Sequence, residues 1–79
     1  MKIFVGNLAC DVEEKELKSL FSQHGKVNSV IIIRNIFSQS SKGYGFVEMP
    51  WLIEAEKALE SLNTFEFRGK KLVLNEAKL

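Results

Sequence analysis

One cysteine, one histidine and one proline occur in 79 residues, and each scarcity closes off a class of protein. Cys10 has no second thiol for an internal disulfide, so the chain is not a small secreted scaffold held by bridges. With His24 as the lone imidazole there is no Cys/His cluster for zinc, and neither a metal nor a cofactor is expected. No run approaches the ~18 apolar residues of a membrane span, and the apolar stretch after Lys2 is too short for a signal peptide. A cytoplasmic protein without membrane contact is therefore expected. No serine, histidine and acid form a nucleophile motif, and the glycines make neither a phosphate loop nor a dinucleotide fingerprint. No catalysis is expected.

What is present is a globular composition, 46% hydrophobic and 27% charged. Chains divide into domains only beyond roughly 250–300 residues, so residues 1–79 are read as a single domain. A domain this small buries only about 60% of its unfolded surface, which disfavours a deep substrate chamber and places function on a face.

Ile3 to Leu8 begins with β-branched and aromatic residues and ends in turn formers, as a short buried strand does. Asp11 and Glu14 have capping-box spacing. Leu17, Leu20 and Phe21 then recur at helical intervals until His24 and Gly25 supply a stop, which predicts a helix within 11–24 with Phe21 in the core. Val27 to Arg34 and Tyr44 to Met49 read as two strands joined by a long hairpin loop. Pro50 opens a second helix within 50–62, striped by Ala55, Ala58, Leu59 and Leu62. Gly69 precedes a last strand from Lys71 to about Asn75. The order β-α-β-β-α-β implies an α+β, split βαβ (ferredoxin-like) sandwich, a four-stranded antiparallel sheet with two helices on one face. The other face is left for a partner.

The net charge of +1 hides an asymmetry. The two helical stretches hold seven acids against three bases, a balance of −4, and the rest holds eight bases against three acids, a balance of +5. Acidic helices and a basic sheet-and-loop surface suit a sheet that meets phosphates, although solvated lysines on strands and loops would give the same count.

Period-two alternation in Lys42-Gly43-Tyr44-Gly45-Phe46-Val47-Glu48-Met49 puts Lys42, Tyr44 and Phe46 on one side and Val47 on the other. If Val47 faces the helices, the rings face away. The same parity in the first strand turns Lys2 and Phe4 outward when Ile3 and Val5 are core. Three rings among lysines match single-stranded nucleic acid binding, in which bases stack on aromatics and cations hold the backbone. The competing reading is a buried aromatic cluster.

The octamer Lys42 to Met49 resembles the signature of the RNA recognition motif, departing only at its last position. Ile3-Phe4-Val5-Gly6-Asn7-Leu8 resembles the companion hexamer of the same family. The likeness covers nearly all of the chain, with a hint of short, single-module bacterial relatives in the Val73 to Ala77 ending. It implies a strand order with the two signature strands adjacent at the centre. It also implies Phe4 and Tyr44 as base-stacking rings, Phe46 against sugars or between bases, and Lys42 toward a phosphate. Lys71 and Asn75 join the face if Leu72 and Leu74 point inward. Asn7 is expected to turn the chain after the first strand or to contact RNA.

Two features depart from that family. Ile31 and Ile33 are left on the outer side of the second strand, and Ile36 and Phe37 occupy the hairpin loop, forming an apolar rim where relatives are more polar. Either the loop packs on its strand, or the rim docks a protein partner or a second copy, which makes a protein-interaction module the alternative to single-stranded RNA binding. Trp51, Leu52 and Ile53 sit at a helix start where polar caps are favoured, and packing of Trp51 into the core is expected.

Overall fold

A computed structural model describes residues 1–78. Its elements are β1 (Lys2–Gly6), α1 (Glu14–Ser22), β2 (Ser29–Arg34), β3 (Ser41–Glu48), α2 (Leu52–Leu62), β4 (Glu66–Phe67), β5 (Lys70–Lys71) and β6 (Val73–Glu76). The four long strands form one antiparallel sheet in the order β2-β3-β1-β6. This is the split βαβ sandwich expected from the sequence, with the two signature strands side by side at its centre.

Alternation decides the two faces. Ile3, Val5, Ile32, Val47 and Leu74 turn inward and are buried against Leu17, Leu20 and Phe21 of α1 and Ala55, Ala58 and Leu62 of α2. Each large side chain taken out of water there stabilises the fold by about 1.5–3 kcal/mol. The intervening strand residues must then point to the other side of the sheet.

The reciprocal cap on α1 belongs to Glu13 and Glu16, not to Asp11 and Glu14: Glu16 Oε1 accepts from the Glu13 backbone N–H at 3.0 Å. Asp11 and Glu14 are instead taken by arginines. Helix α2 begins at Leu52, with Trp51 in the flanking position and no side-chain cap. Trp51, Leu52 and Ile53 all remain outside the core, 60%, 58% and 69% exposed. A first helical turn lies at the end of the sandwich, and the stripe that packs begins only at Ala55.

The strand expected from Lys71 to about Asn75 is divided. Lys70–Lys71 pairs with Glu66–Phe67 as a separate two-stranded ribbon, and the main sheet takes only Val73–Glu76. The ribbon turns through Arg68 (φ 54°) and Gly69 (φ 80°), the two positive-φ residues that a two-residue hairpin turn of matching twist requires.

Candidate nucleic-acid interface

The register of the sheet builds the site. Phe4 pairs with Phe46 on one side and with Asn75 on the other, and Phe46 pairs in turn with Ile31. Directly opposed residues in antiparallel strands share a face, so Asn75, Phe4, Phe46 and Ile31 form one row across all four strands on the side away from the helices. Strand spacing makes that row about 14 Å wide.

Phe4, Tyr44 and Phe46 are half-buried rather than sealed. The Phe4 ring centroid lies 5.8 Å from that of Tyr44 and 5.9 Å from that of Phe46, and Tyr44 and Phe46 are 6.4 Å apart and edge-on. Their mutual contacts fix ring orientation while leaving surface for further stacking, since offset and edge-to-face pairs are the favoured arrangements at these separations. The core-cluster reading is thereby excluded. Lys2 sets its ammonium 5.1 Å from the Phe46 ring centroid, a cation–π contact of about 0.5–1 kcal/mol at an exposed site that keeps positive charge against the platform.

Gly6 contributes to this geometry in a way the sequence reading did not anticipate. A Cβ built there would stand 2.7 Å from Cε2 and 3.0 Å from Cζ of Phe4. The missing side chain is the space into which the Phe4 ring leans, and its signal in the sequence was the Phe-x-Gly spacing that places both residues on one face.

Lys42 falls where the regular pairing is interrupted. Between the pairs Ile32–Gly45 and Arg34–Ser41 the register shifts, with more residues on β3 than on β2, and Gly43 takes φ 86° at the bulge. Strict alternation therefore ends at Tyr44. Lys42 is exposed within the shifted stretch, where alternation no longer assigns it a side.

Asn7, at φ 58°, turns the chain after β1, and its side-chain amide donates to the Lys71 carbonyl at 2.8 Å. That bond ties the end of β1 to the ribbon and occupies one donor of the amide. Lys71 stands in the ribbon instead of the main sheet, with its side chain exposed. Leu72 and Leu74 are buried, so Asn75 and Val73 face outward as expected.

The charge asymmetry is refined as well. Arg34 donates to Glu14 at 2.8 Å, and Arg68 donates to Asp11 at 2.8 Å and also to Glu16. These bonds hold the Glu14 and Glu16 carboxyls below the ordinary carboxylate range and push the Arg68 guanidinium up. Both arginines are thus committed to α1. Among the described residues no lysine enters an ion pair, so Lys2, Lys26, Lys42, Lys70, Lys71 and Lys78 supply the free positive charge outside the helices. Among the described residues there is also no group of three potential metal ligands and no helix long and apolar enough to cross a membrane.

A split βαβ sandwich with three half-open rings on its two central strands defines a class of sheet-face binding domain. A profile of the RNA recognition motif matches residues 3–73, and the chain belongs to that family. It is 46% identical over 76 residues to the chloroplastic RNA-binding protein CP31B of Arabidopsis thaliana, covering 96% of this chain and 26% of that protein. It is 37% identical over 78 residues to RbpA of Synechocystis sp., covering 99% of this chain and 77% of that protein. The chain thus spans about a quarter to a third of the plant relatives and most of the short cyanobacterial one. Among solved structures, that of RNA Binding Protein PG1 superposes with a TM-score of 0.95 at 43% identity, covering 98% of this chain and 93% of that one. A Sex-lethal protein–RNA complex superposes at 0.94 with 29% identity, covering 99% of this chain and 47% of that one.

Proposed function

We propose that this chain binds single-stranded RNA on the open face of its sheet, stacking bases on Phe4, Tyr44 and Phe46 while lysines neutralise phosphates. No bond is made or broken in this reading. The observation that carries it is the ring trio, half-open and mutually braced within 5.8–6.4 Å, on the face opposite the acidic helices. Relatives named as RNA-binding proteins, and a neighbouring fold solved with RNA, support the same class of ligand.

The site residues take distinct parts. Phe4 and Tyr44 receive bases, Phe46 packs against sugars or between bases, and Asn75, opposed to Phe4, hydrogen-bonds the edge of a stacked base. Lys2, Lys42 and Lys71 contribute phosphate contacts, and Asn7 acts chiefly by holding the Lys71 segment against β1. The cytoplasmic setting expected from the sequence belongs to the same proposal; the plant relatives carry chloroplastic names.

Amide-shift titration with mixed-sequence oligoribonucleotides tests the reading. Changes concentrated on β1, β3 and Asn75 are expected. Silence at those positions, or shifts confined to α1 and α2, would overturn it.

A further inference from the structure

The chain's single tryptophan serves neither the core nor the helix that follows it. Trp51 is 60% exposed. It stands at the N-cap of α2 and makes no side-chain bond there, at a position where a short oxygen-bearing residue would satisfy a free backbone N–H. Leu52 and Ile53 beside it are exposed as well. Three consecutive large apolar side chains in water form the kind of contiguous patch that marks an interaction surface. The turn that carries them is nevertheless anchored. Glu54 accepts from the Lys26 backbone N–H at 2.9 Å, and its side chain packs so closely over Gly25 that a Cβ there would collide with it. The Ala55 N–H donates to the Trp51 carbonyl at 3.0 Å. A patch already held in place asks little ordering of itself when a ligand arrives.

The surroundings select the occupant. Ile53, Glu56 and Glu60 follow one another at helical intervals on the side of α2 opposite Ala55, Ala58 and Leu62, and Leu52, Glu56 and Leu59 run down the adjoining flank. That flank leads into a shallow hollow of about 420 Å³, floored by Leu59 and Leu74 and rimmed by Glu56, Glu60 and Glu76. Among the described residues none of these three carboxylates enters an ion pair, and Lys57 is the one base along the helix. The local field is negative, which disfavours a nucleic acid or an acidic lipid surface and attracts cations. Size narrows the choice further. Even an aromatic side chain offers only about 150–250 Å², so three partly covered ones fall short of the ~800 Å² that each partner commits in a stable globular pair. We propose that the start and outer side of α2 dock a short basic segment of another protein. An apolar residue of that segment covers Trp51, Leu52 and Ile53, and its lysine or arginine enters the hollow between Glu56, Glu60 and Glu76. The site goes beyond the RNA-binding reading and does not depend on it.

The test selects peptides from a random hexadecapeptide display library on the immobilised chain, after depletion on a Trp51→Ser, Ile53→Ser double variant. The peptides recovered should be rich in lysine and arginine around an aliphatic or aromatic residue. A synthetic copy of one should blue-shift the emission of Trp51 and bind Trp51→Ala at least about fivefold more weakly, as loss of an interface anchor does. Glu56→Gln combined with Glu60→Gln should weaken the same peptide roughly 2- to 30-fold, the range for two exposed charge pairs. Each variant should keep the parental thermal midpoint, since the substituted side chains lie outside the core. Recovery of acidic peptides, or of none that the parent retains and the double variant loses, would overturn this inference and leave the RNA reading standing. A concentration-dependent mass in the parent that the double variant abolishes would assign the patch to a second copy and overturn it too. An oligoribonucleotide that shifts the Trp51 emission and binds Trp51→Ala less well would assign the patch to nucleic acid, with the same consequence.

Discussion

Among the large apolar side chains outside the core, one group half-buried on the sheet face and one exposed at the start of α2 are separated by their surroundings. Phe4, Tyr44 and Phe46 stand on the two central strands, braced against one another, with Lys2 against Phe46. Trp51, Leu52 and Ile53 stand at the uncapped start of α2. The helix they open carries Glu54, Glu56 and Glu60 against Lys57 alone, and Glu54 is already engaged by the Lys26 backbone N–H at 2.9 Å. Exposure of an aromatic ring is therefore a poor guide by itself. Neighbouring cations and a rigid strand suit the first group to the proposed polyanion, and neighbouring carboxylates make the second unsuited to one.

The contrast is broken most severely by removing Tyr44 and Phe46 together. Alanine at both should weaken RNA binding by roughly 2–6 kcal/mol, from about 1–3 kcal/mol per stacked base, with the far-ultraviolet spectrum unchanged. A nitrocellulose filter assay at fixed salt measures it, and retention of parental binding would remove stacking from the account. Gly6→Ala is a subtler intervention on the same platform. The new methyl group meets the far end of the Phe4 ring, so the ring must tilt while the fold adapts. Affinity should fall by about 1 kcal/mol or less, within the lower end of a stacking contribution, with a thermal midpoint near the parent's. A large loss of stability with unchanged affinity would show that Gly6 serves the sheet and not the ring.

Lys42→Ala should lower affinity for all sequences alike and flatten the dependence of log K on log salt by about 0.7, the single-strand value for one phosphate. A steeper slope would contradict a phosphate role for Lys42. The smallest effect concerns the arginines, both held by carboxylates of α1 or of the turn before it. Arg34→Ala should cost about 0.2–1 kcal/mol at neutral pH, the range for partly exposed pairs, and leave RNA affinity intact. Because Arg34 holds the Glu14 carboxyl below its ordinary value in the folded state, the stabilisation is complete above the unfolded glutamate value near pH ~4.3 and disappears as pH falls through the lower folded value. The gap in thermal midpoint between parent and variant should close in acid. A gap that persists unchanged would show that Arg34 acts through packing.

Much of this architecture can be read from residue order because alternation on a sheet leaves few choices. Once Ile3, Val5 and Val47 are inside, Phe4 and Phe46 must be outside, and both are. The parts that escaped reading depend on single deviations or on long separations. One positive φ at Gly43 ends the alternation before Lys42. The Arg68–Gly69 turn diverts Lys71 into a ribbon, and Arg-Gly is not among the Asn-Gly, Asp-Gly or Gly-Gly pairs that mark such a turn in a sequence. Nothing local marks Arg34 for Glu14 or Arg68 for Asp11, because these pairs exist only after α1 has packed on the sheet. Trp51 was expected in the core from the average burial of tryptophan, but a position one residue ahead of a helix has no obligatory inward face.

The central claim is tested most directly by the affinity of Phe46→Ala and Trp51→Ala for one oligoribonucleotide at one salt concentration. Phe46→Ala should bind about 1–3 kcal/mol more weakly than the parent, and Trp51→Ala should bind as the parent does. Unimpaired binding by Phe46→Ala, or an equal loss in both variants, would contradict the assignment of the RNA-binding face to the open side of the sheet.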